Sequence, residues 1–221
     1  PEMRRQYGLA TLREALYNIH FPQSPEALRQ AQYRLKFEEL LGVQLNVMAR
    51  RSERLARNDG FYFARVGESF NTFYKEKLPF PLTGAQKRVV REIRQDTVTG
   101  CQMNRLLQGD VGSGKTLVAV MCMLMALDNC CQTCLMAPTE ILARQHYATL
   151  TRLLDGLTVQ VAILTGASKA RERRAALEGG ASGEVQLLVG THALIEDRVR
   201  FANLGLVVID EQHRFGVEQR A

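Results

Sequence analysis

The feature that most constrains this chain is the run Gly109-Asp110-Val111-Gly112-Ser113-Gly114-Lys115-Thr116, set between two apolar stretches. It matches the pattern G-x-x-x-x-G-K-[ST], whose glycines let successive backbone N–H groups turn inward around an anion. A helix that starts at Lys115 adds the positive end of its dipole. The stretch before the loop, Arg105–Gln108, reads as a short strand. After it comes LVAVMCMLMAL, Leu117 to Leu127, without a single charge. A helix over 115–128 with that composition must be buried, so the chain needs a sheet and further helices to surround it.

From about Pro79 the pattern supplies them. A helix is expected from Thr83 to about Thr97, with Val89, Val90 and Ile93 facing inward. Strands are expected at Thr133–Ala137, Val159–Leu164, Val185–Val189 and Leu206–Ile209, with helices at Glu140–Leu154 and Lys169–Leu177. Apolar strands alternating with helices imply an α/β fold, a parallel sheet covered on both faces. Residues 1–78 read as helices only. Thr11-Leu12-Arg13-Glu14 has the form of a capping box, followed by Leu12, Ala15, Leu16 and Ile19 on one face. Ser24-Pro25 is a second helix start. Tyr33, Phe37, Leu41, Leu45 and Met48 then recur at steps of four and three, a long amphipathic helix to about Arg57, and Asn58-Asp59-Gly60 reads as a turn. The domains expected are therefore 1–78, helical, and 79–221, α/β.

Composition narrows the classes. Of 221 residues, 46% are apolar and 24% charged, which excludes disordered and collagen-like chains. The longest apolar run is too short for a bilayer, which needs about 20 residues. PEMRRQYG has no apolar core behind it, so no signal peptide is read and a cytoplasmic setting is expected. The net charge is +6, and 13 of the 29 basic and 9 of the 23 acidic residues lie in 1–78. That mild bias permits nucleic acid without demanding it. Five cysteines, an odd number, fit reduced thiols. Cys131 and Cys134 form a C-x-x-C, but beside Cys130 no second pair completes a four-ligand zinc site. Buried thiols in or near a strand are the better reading.

A second acidic motif follows from the first. Leu206–His213, LVVIDEQH, is an apolar strand ending in two carboxylates. Beside a phosphate loop, Asp210 would hold Mg²⁺ through water, and Glu211 would accept a proton from the water attacking a γ-phosphate. Lys115 would reach the β- and γ-phosphates, and Thr116 would ligate Mg²⁺. Alone, the two acids would only cap a strand end. Ala137–His146, APTEILARQH, also follows a strand, with Thr139 placed as an N-cap. Thr165-Gly166 and Gly190-Thr191-His192 follow two more. Ligands of open α/β sheets gather at the carboxyl ends of strands, so these residues suggest one functional edge, part nucleotide and part polymer. Gln86 has two compatible readings: the end of a capping box that starts at Thr83, or an amide that pairs with adenine. His213 also has two: a group that reports the nucleotide state to a neighbouring domain, or a ring that satisfies nearby backbone.

Together GDVGSGKT, APTEILARQH, GTHALI and DEQHRFGVEQR resemble superfamily 2 helicases, and among them a group of bacterial ATP-dependent DNA helicases. The resemblance covers the chain. EALYNIHFP and RLKFEELLGVQL, in residues 1–78, are similar to that group's helical connector between a DNA-binding wedge domain and the motor. Residues 79–221 are similar to the first of two RecA-like motor domains. The resemblance implies ATP and Mg²⁺ as cofactors, and branched DNA (stalled forks and four-way junctions) as partner in recombination and repair. It implies adenine recognition by Phe80 and Gln86, phosphate binding by Gly109, Asp110, Val111, Gly112, Ser113, Gly114, Lys115 and Thr116, catalysis by Lys115 and Glu211, and Mg²⁺ at Thr116 and Asp210. His213, Arg214 and the loop to Arg220 would couple hydrolysis to DNA movement. Thr139, Thr165, Gly166, Thr191 and His192 would face the DNA backbone without reading sequence. The wedge and the second motor domain, with its arginine finger, fall outside this sequence. A monomeric motor fragment, nearly inactive alone, is therefore expected. The rivals are a nucleotide-binding switch module that does no DNA work, and the related translocase that couples transcription to repair. The latter shares GDVG and RFGV, but its pattern favours DEEQ where this chain has Asp210-Glu211-Gln212-His213.

Overall fold

The computed structural model describes residues 2–57 and 60–215. The Asn58-Asp59 part of the expected turn, and the loop from 216 to Arg220, lie outside the described residues. The chain divides into two compact units, Pro1–Asn58 and Asp59–Ala221.

The first unit holds α1 (Glu2–Gln6), α2 (Leu12–His20) and α3 (Pro25–Arg57). The capping box of α2 is complete: Thr11 Oγ1 accepts the Glu14 N–H at 3.2 Å, and the Glu14 carboxylate accepts the Thr11 N–H at 2.9 Å and its hydroxyl at 2.7 Å. These bonds from Thr11 hold the Glu14 carboxyl below the usual carboxylate range. Ser24 Oγ accepts the Ala27 N–H at 3.0 Å and starts α3, which runs 33 residues. Ala15 and Ala31 are buried, whereas Leu12, Leu16, Tyr33, Leu45 and Met48 are exposed. Two helices meeting along one small-residue seam have no second surface with which to cover a wider apolar stripe.

The second unit holds α4 (Glu68–Thr72), continued by a π-turn at Phe73–Lys77, then α5 (Gly84–Asp96), α6 (Lys115–Asp128), β1 (Gln132–Met136), α7 (Glu140–Leu153), β2 (Val161–Leu164), α8 (Ala170–Ser182), β3 (Leu187–Gly190) and β4 (Leu204–Ile209). The four strands form one sheet in the order β2-β3-β1-β4, with every pair parallel. Leu135, Leu187 and Val189 point to the face covered by α5, α6 and α7. Cys134, Met136, Leu164 and Leu188 point to the face covered by α8 and Phe215. Side chains alternate with a period of two along a strand, so both faces need apolar residues, and the strands read as continuous apolar runs. A bulge pairs Gln132 with Leu204 but Thr133 with Leu206. The skipped Gly205 reverses the alternation, so Leu204 and Leu206 serve opposite faces.

One expected strand does not form. Arg105–Gln108 lies outside the sheet. Its composition suits a strand, but a strand exists only through a ladder partner, and among the described residues β4 is paired with β1 alone. Arg105 is instead held by carboxylates of α5, Glu92 at 3.0 Å and Asp96, while Leu107 packs on the core.

Residues 60–78 belong to the second unit, which therefore starts well before the composition shift at Pro79. The tie is Asp128, at the last residue of α6. Its buried carboxylate accepts backbone N–H groups from Gly67 at 2.9 Å, Ser69 at 3.0 Å and Phe70 at 3.1 Å, and so caps α4 from another helix. Phe63 is buried against Ala126 and Cys131, and Phe73 is buried in the unit's main core. With the sheet on one side and α4 and α5 on another, α6 is buried at ten of its 14 positions. No helix among the described residues is long and apolar enough to cross a membrane.

Candidate functional site

The turn Asn129–Cys131 is too short to carry the chain anywhere but straight back, so α6 runs antiparallel to β1. The N-terminus of α6 therefore lies at the carboxyl end of the sheet. At that end β1 runs into Ala137–Thr139, β2 into Thr165-Gly166, β3 into Thr191-His192 and β4 into Asp210-Glu211. The topology thus brings the expected residues to one edge.

The loop Gly109–Thr116 is tightly folded. Gly112 and Gly114 take φ of +78° and +77°, a left-handed conformation that glycine adopts at no steric cost. A Cβ at Gly114 would also collide with the side-chain amide of Gln86. Lys115 Nζ donates to two carbonyls of its own loop, Gly109 O at 2.8 Å and Asp110 O at 2.9 Å. The Ser113 N–H bonds to Asp110 O at 3.1 Å. Asp110 and Val111 are exposed at the rim.

Gln86 is buried beneath this loop. Its Oε1 accepts the Thr83 N–H at 2.8 Å, completing the capping box, and its Nε2 donates to Ser113 O at 2.9 Å. One amide thereby ties the start of α5 to the phosphate loop. Sequence reasoning weighed the cap and the adenine but missed the link to Ser113, because nothing local to α5 signals a partner 27 residues away. Phe80, just before α5, is exposed.

On the opposite side of the edge, Asp210 ends β4 with its N–H on Met136 O at 2.9 Å. Its Oδ1 accepts the Glu211 N–H at 3.0 Å, and its Oδ2 lies 2.8 Å from His146 Nε2. His146 sits two turns into α7 on the inner side that also carries buried Ala143 and Leu150. A lone histidine on an otherwise apolar helix face was the available signal, and it was passed over. Glu211 has φ +48° and ψ +48°. A non-glycine residue held there is strained, and such strain clusters at functional sites. Its carboxylate is half exposed, and His213 Nδ1 stands 3.4 Å from its Oε2. His213 and Arg214 are exposed, while Phe215 turns back into the core.

The remaining edge residues divide. Thr139 is exposed, and its Oγ1 caps α7 by accepting the Leu142 N–H at 3.3 Å. Thr165 and Thr191 are closed to solvent, and Ser168 Oγ accepts the Thr165 N–H at 2.9 Å. Gly166 and His192 are exposed. The surface after β2 and β3 is therefore made by backbone, Gly166 and His192 rather than by the two threonine hydroxyls. Burial pushes the thiols of Cys122 and Cys134 up to about 12, which makes them core groups rather than reactive ones.

The profile of the DEAD/DEAH box helicases matches residues 83–221. The ATP-dependent DNA helicase RecG of Synechocystis sp. is 49% identical over 220 residues, covering 100% of this chain and 26% of that protein. RecG of Bacillus subtilis is 48% identical over 99% of this chain and 32% of its own length. Among solved structures, RecG bound to a three-way DNA junction superposes with a TM-score of 0.85 at 41% identity, covering 97% of this chain and 29% of that one. The chain thus spans about a third or less of the relatives it matches.

Proposed function

Because this chain belongs to the DEAD/DEAH box helicase family, we propose that it supplies the ATP-hydrolysing half of a motor that remodels branched DNA, such as stalled forks and four-way junctions, in recombination and repair. The observation that carries this reading is the meeting of the loop Gly109–Thr116 and the acids Asp210-Glu211 at one sheet edge, in a chain similar to RecG along its whole length.

On this reading the Lys115 ammonium leaves the loop carbonyls for the β- and γ-phosphoryl oxygens, while the loop N–H groups and the α6 dipole hold the rest of the phosphate chain. Glu211 accepts the proton of the attacking water. The Thr116 hydroxyl and the Asp210 carboxylate are hard oxygen donors, which suit Mg²⁺ bound by few protein ligands plus phosphate. Among the described residues no cluster of three or more His, Cys, Asp or Glu would hold a metal alone, which agrees with that mode. Bound there, Mg²⁺ would neutralise charge developing on the phosphoryl oxygens. Phe80 and Gln86 serve the adenine. Thr139, Gly166 and His192, with the backbone around Thr165 and Thr191, face DNA. His213 and Arg214 pass the nucleotide state to a second motor domain. The protein acts as a monomer in the cytoplasm, with the first unit, Pro1–Asn58, connecting motor to DNA-binding wedge.

The test is Lys115→Ala in the full-length protein. Removing a donor to developing charge costs about 10²–10³ in turnover, so DNA-stimulated ATPase at saturating ATP should fall by that factor and fork unwinding with it. Near-normal turnover would overturn the assignment. A wild-type ATPase indifferent to DNA would point instead to a switch module.

A further inference from the structure

His146 and Asp210 are 64 residues apart in sequence and belong to different elements, yet they share a 2.8 Å hydrogen bond. An ionised carboxylate is acceptor-only, so Nε2 is the donor. The second oxygen of Asp210 is also engaged, by the N–H of Glu211 at 3.0 Å. A carboxylate offers about four lone-pair sites. Two are taken, one on each oxygen, and the group is held from both sides. It cannot rotate about its terminal torsion without losing a bond. The helix that carries the imidazole is itself held in place, because α7 is anchored by Ala143 and Leu150, both fully buried, and by the Thr139 cap. The side chains of His146 and Asp210 are only 17% and 33% exposed, so water competes weakly for the bond.

We propose that His146 is a positioning residue: by donating from Nε2 it fixes the Asp210 carboxylate in the orientation that receives Mg²⁺ with its nucleotide. This rests on the nucleotide-hydrolysing reading above and adds to it a residue from outside both phosphate motifs. The physical reason is the metal's geometry. Mg²⁺ demands near-ideal octahedral coordination and keeps several waters, so a carboxylate free to swing meets those waters correctly only part of the time. Loss of an outer partner that orients a metal ligand typically costs 10–100-fold in metal affinity. A ring that only filled space under α7 would support the fold whether or not Mg²⁺ was present.

The experiment uses the full-length protein and a fluorescent, non-hydrolysable ATP analogue. Its Kd is measured with excess Mg²⁺ and again with EDTA, and the ratio gives the strengthening due to Mg²⁺. In His146→Ala that ratio should shrink by about tenfold or more, with the EDTA value unchanged. His146→Gln keeps an N–H donor and should recover most of the loss, and it also keeps the question answerable if the alanine variant does not fold. An unchanged ratio in His146→Ala overturns the inference. So does equal weakening with and without Mg²⁺, or a glutamine variant no better than alanine. Lys115→Ala in the same titration separates the two levels. If it loses binding while His146→Ala keeps the Mg²⁺ ratio, only the role of His146 fails. If Lys115→Ala binds as well as wild type, the nucleotide site itself is wrong.

Discussion

Lys115 uses two of the three N–H donors of its ammonium on its own loop. On the proposed reading, phosphate binding at this loop is therefore an exchange of charge-assisted bonds rather than a simple gain of them. A ligand must bring enough oxygens to replace two carbonyls, which favours a polyphosphate chain over a single small anion. The sequence pattern shows that a lysine stands there but not where it points, because its partners are backbone carbonyls that any residue would offer. His146 and Gln86 were hidden for a related reason: each acts through a contact that only the fold creates. The cysteines give a prediction at this scale. Burial pushes the thiols of Cys122 and Cys134 up to about 12, so they hold very little of the reactive thiolate near neutral pH. Iodoacetamide should therefore modify exposed Cys130 while Cys122 and Cys134 stay unmodified until denaturant is added, as read by peptide mass mapping. Equal labelling of Cys134 and Cys130 in the folded protein would refute their burial. The sign for stability follows from the same shift. The folded thiol pKa lies above the unfolded value of about 8.5, so this contribution is complete below that pH and is lost as pH rises toward the folded value.

At the scale of elements, the capping boxes at Thr11 and Thr83 and the apolar run of α6 were legible because each is a local signal. The Arg105–Gln108 segment was misread because a strand is not a local object. Leu107 serves the core from outside a ladder, while Leu106 stays exposed. The Gly205 bulge was likewise invisible, since register belongs to two strands at once. The Asp128 cap is the element whose removal is most informative. Three N–H groups of the Gly67–Phe70 turn end on one buried carboxylate, and hydrogen bonds to charged groups contribute about 1.5–3 kcal/mol net of their exchange with water, less than additively where one carboxylate takes all three. Asp128→Ala should destabilise the second unit by about 2–4 kcal/mol, read as a lower urea midpoint. A change within about 0.5 kcal/mol, the range of ordinary surface substitutions, would show that α4 does not depend on this cap.

At the scale of the whole molecule, the motor resemblance was legible because four motifs recur at one sheet edge. The division of the chain was not. The prolines at 79 and 81 mark a loop inside the second unit, whereas the two units part at 58/59, where no proline stands. Residues 1–221 produced alone should hydrolyse ATP at least about 10³-fold more slowly than full-length Bacillus subtilis RecG assayed beside them with forked DNA, the factor that an arginine from a second domain supplies. Comparable turnover would mean that this chain contains a complete active site. The burial of Phe63 and Phe73 against α6 also decides where this chain can be cut and rejoined. A graft that begins at Pro79 would strip the outer side of α6 and leave Met121 and Met125, each 1% exposed, facing water. The portable unit begins at Asp59, and a chimera keeps the core around α6 intact only if its seam falls before Phe63.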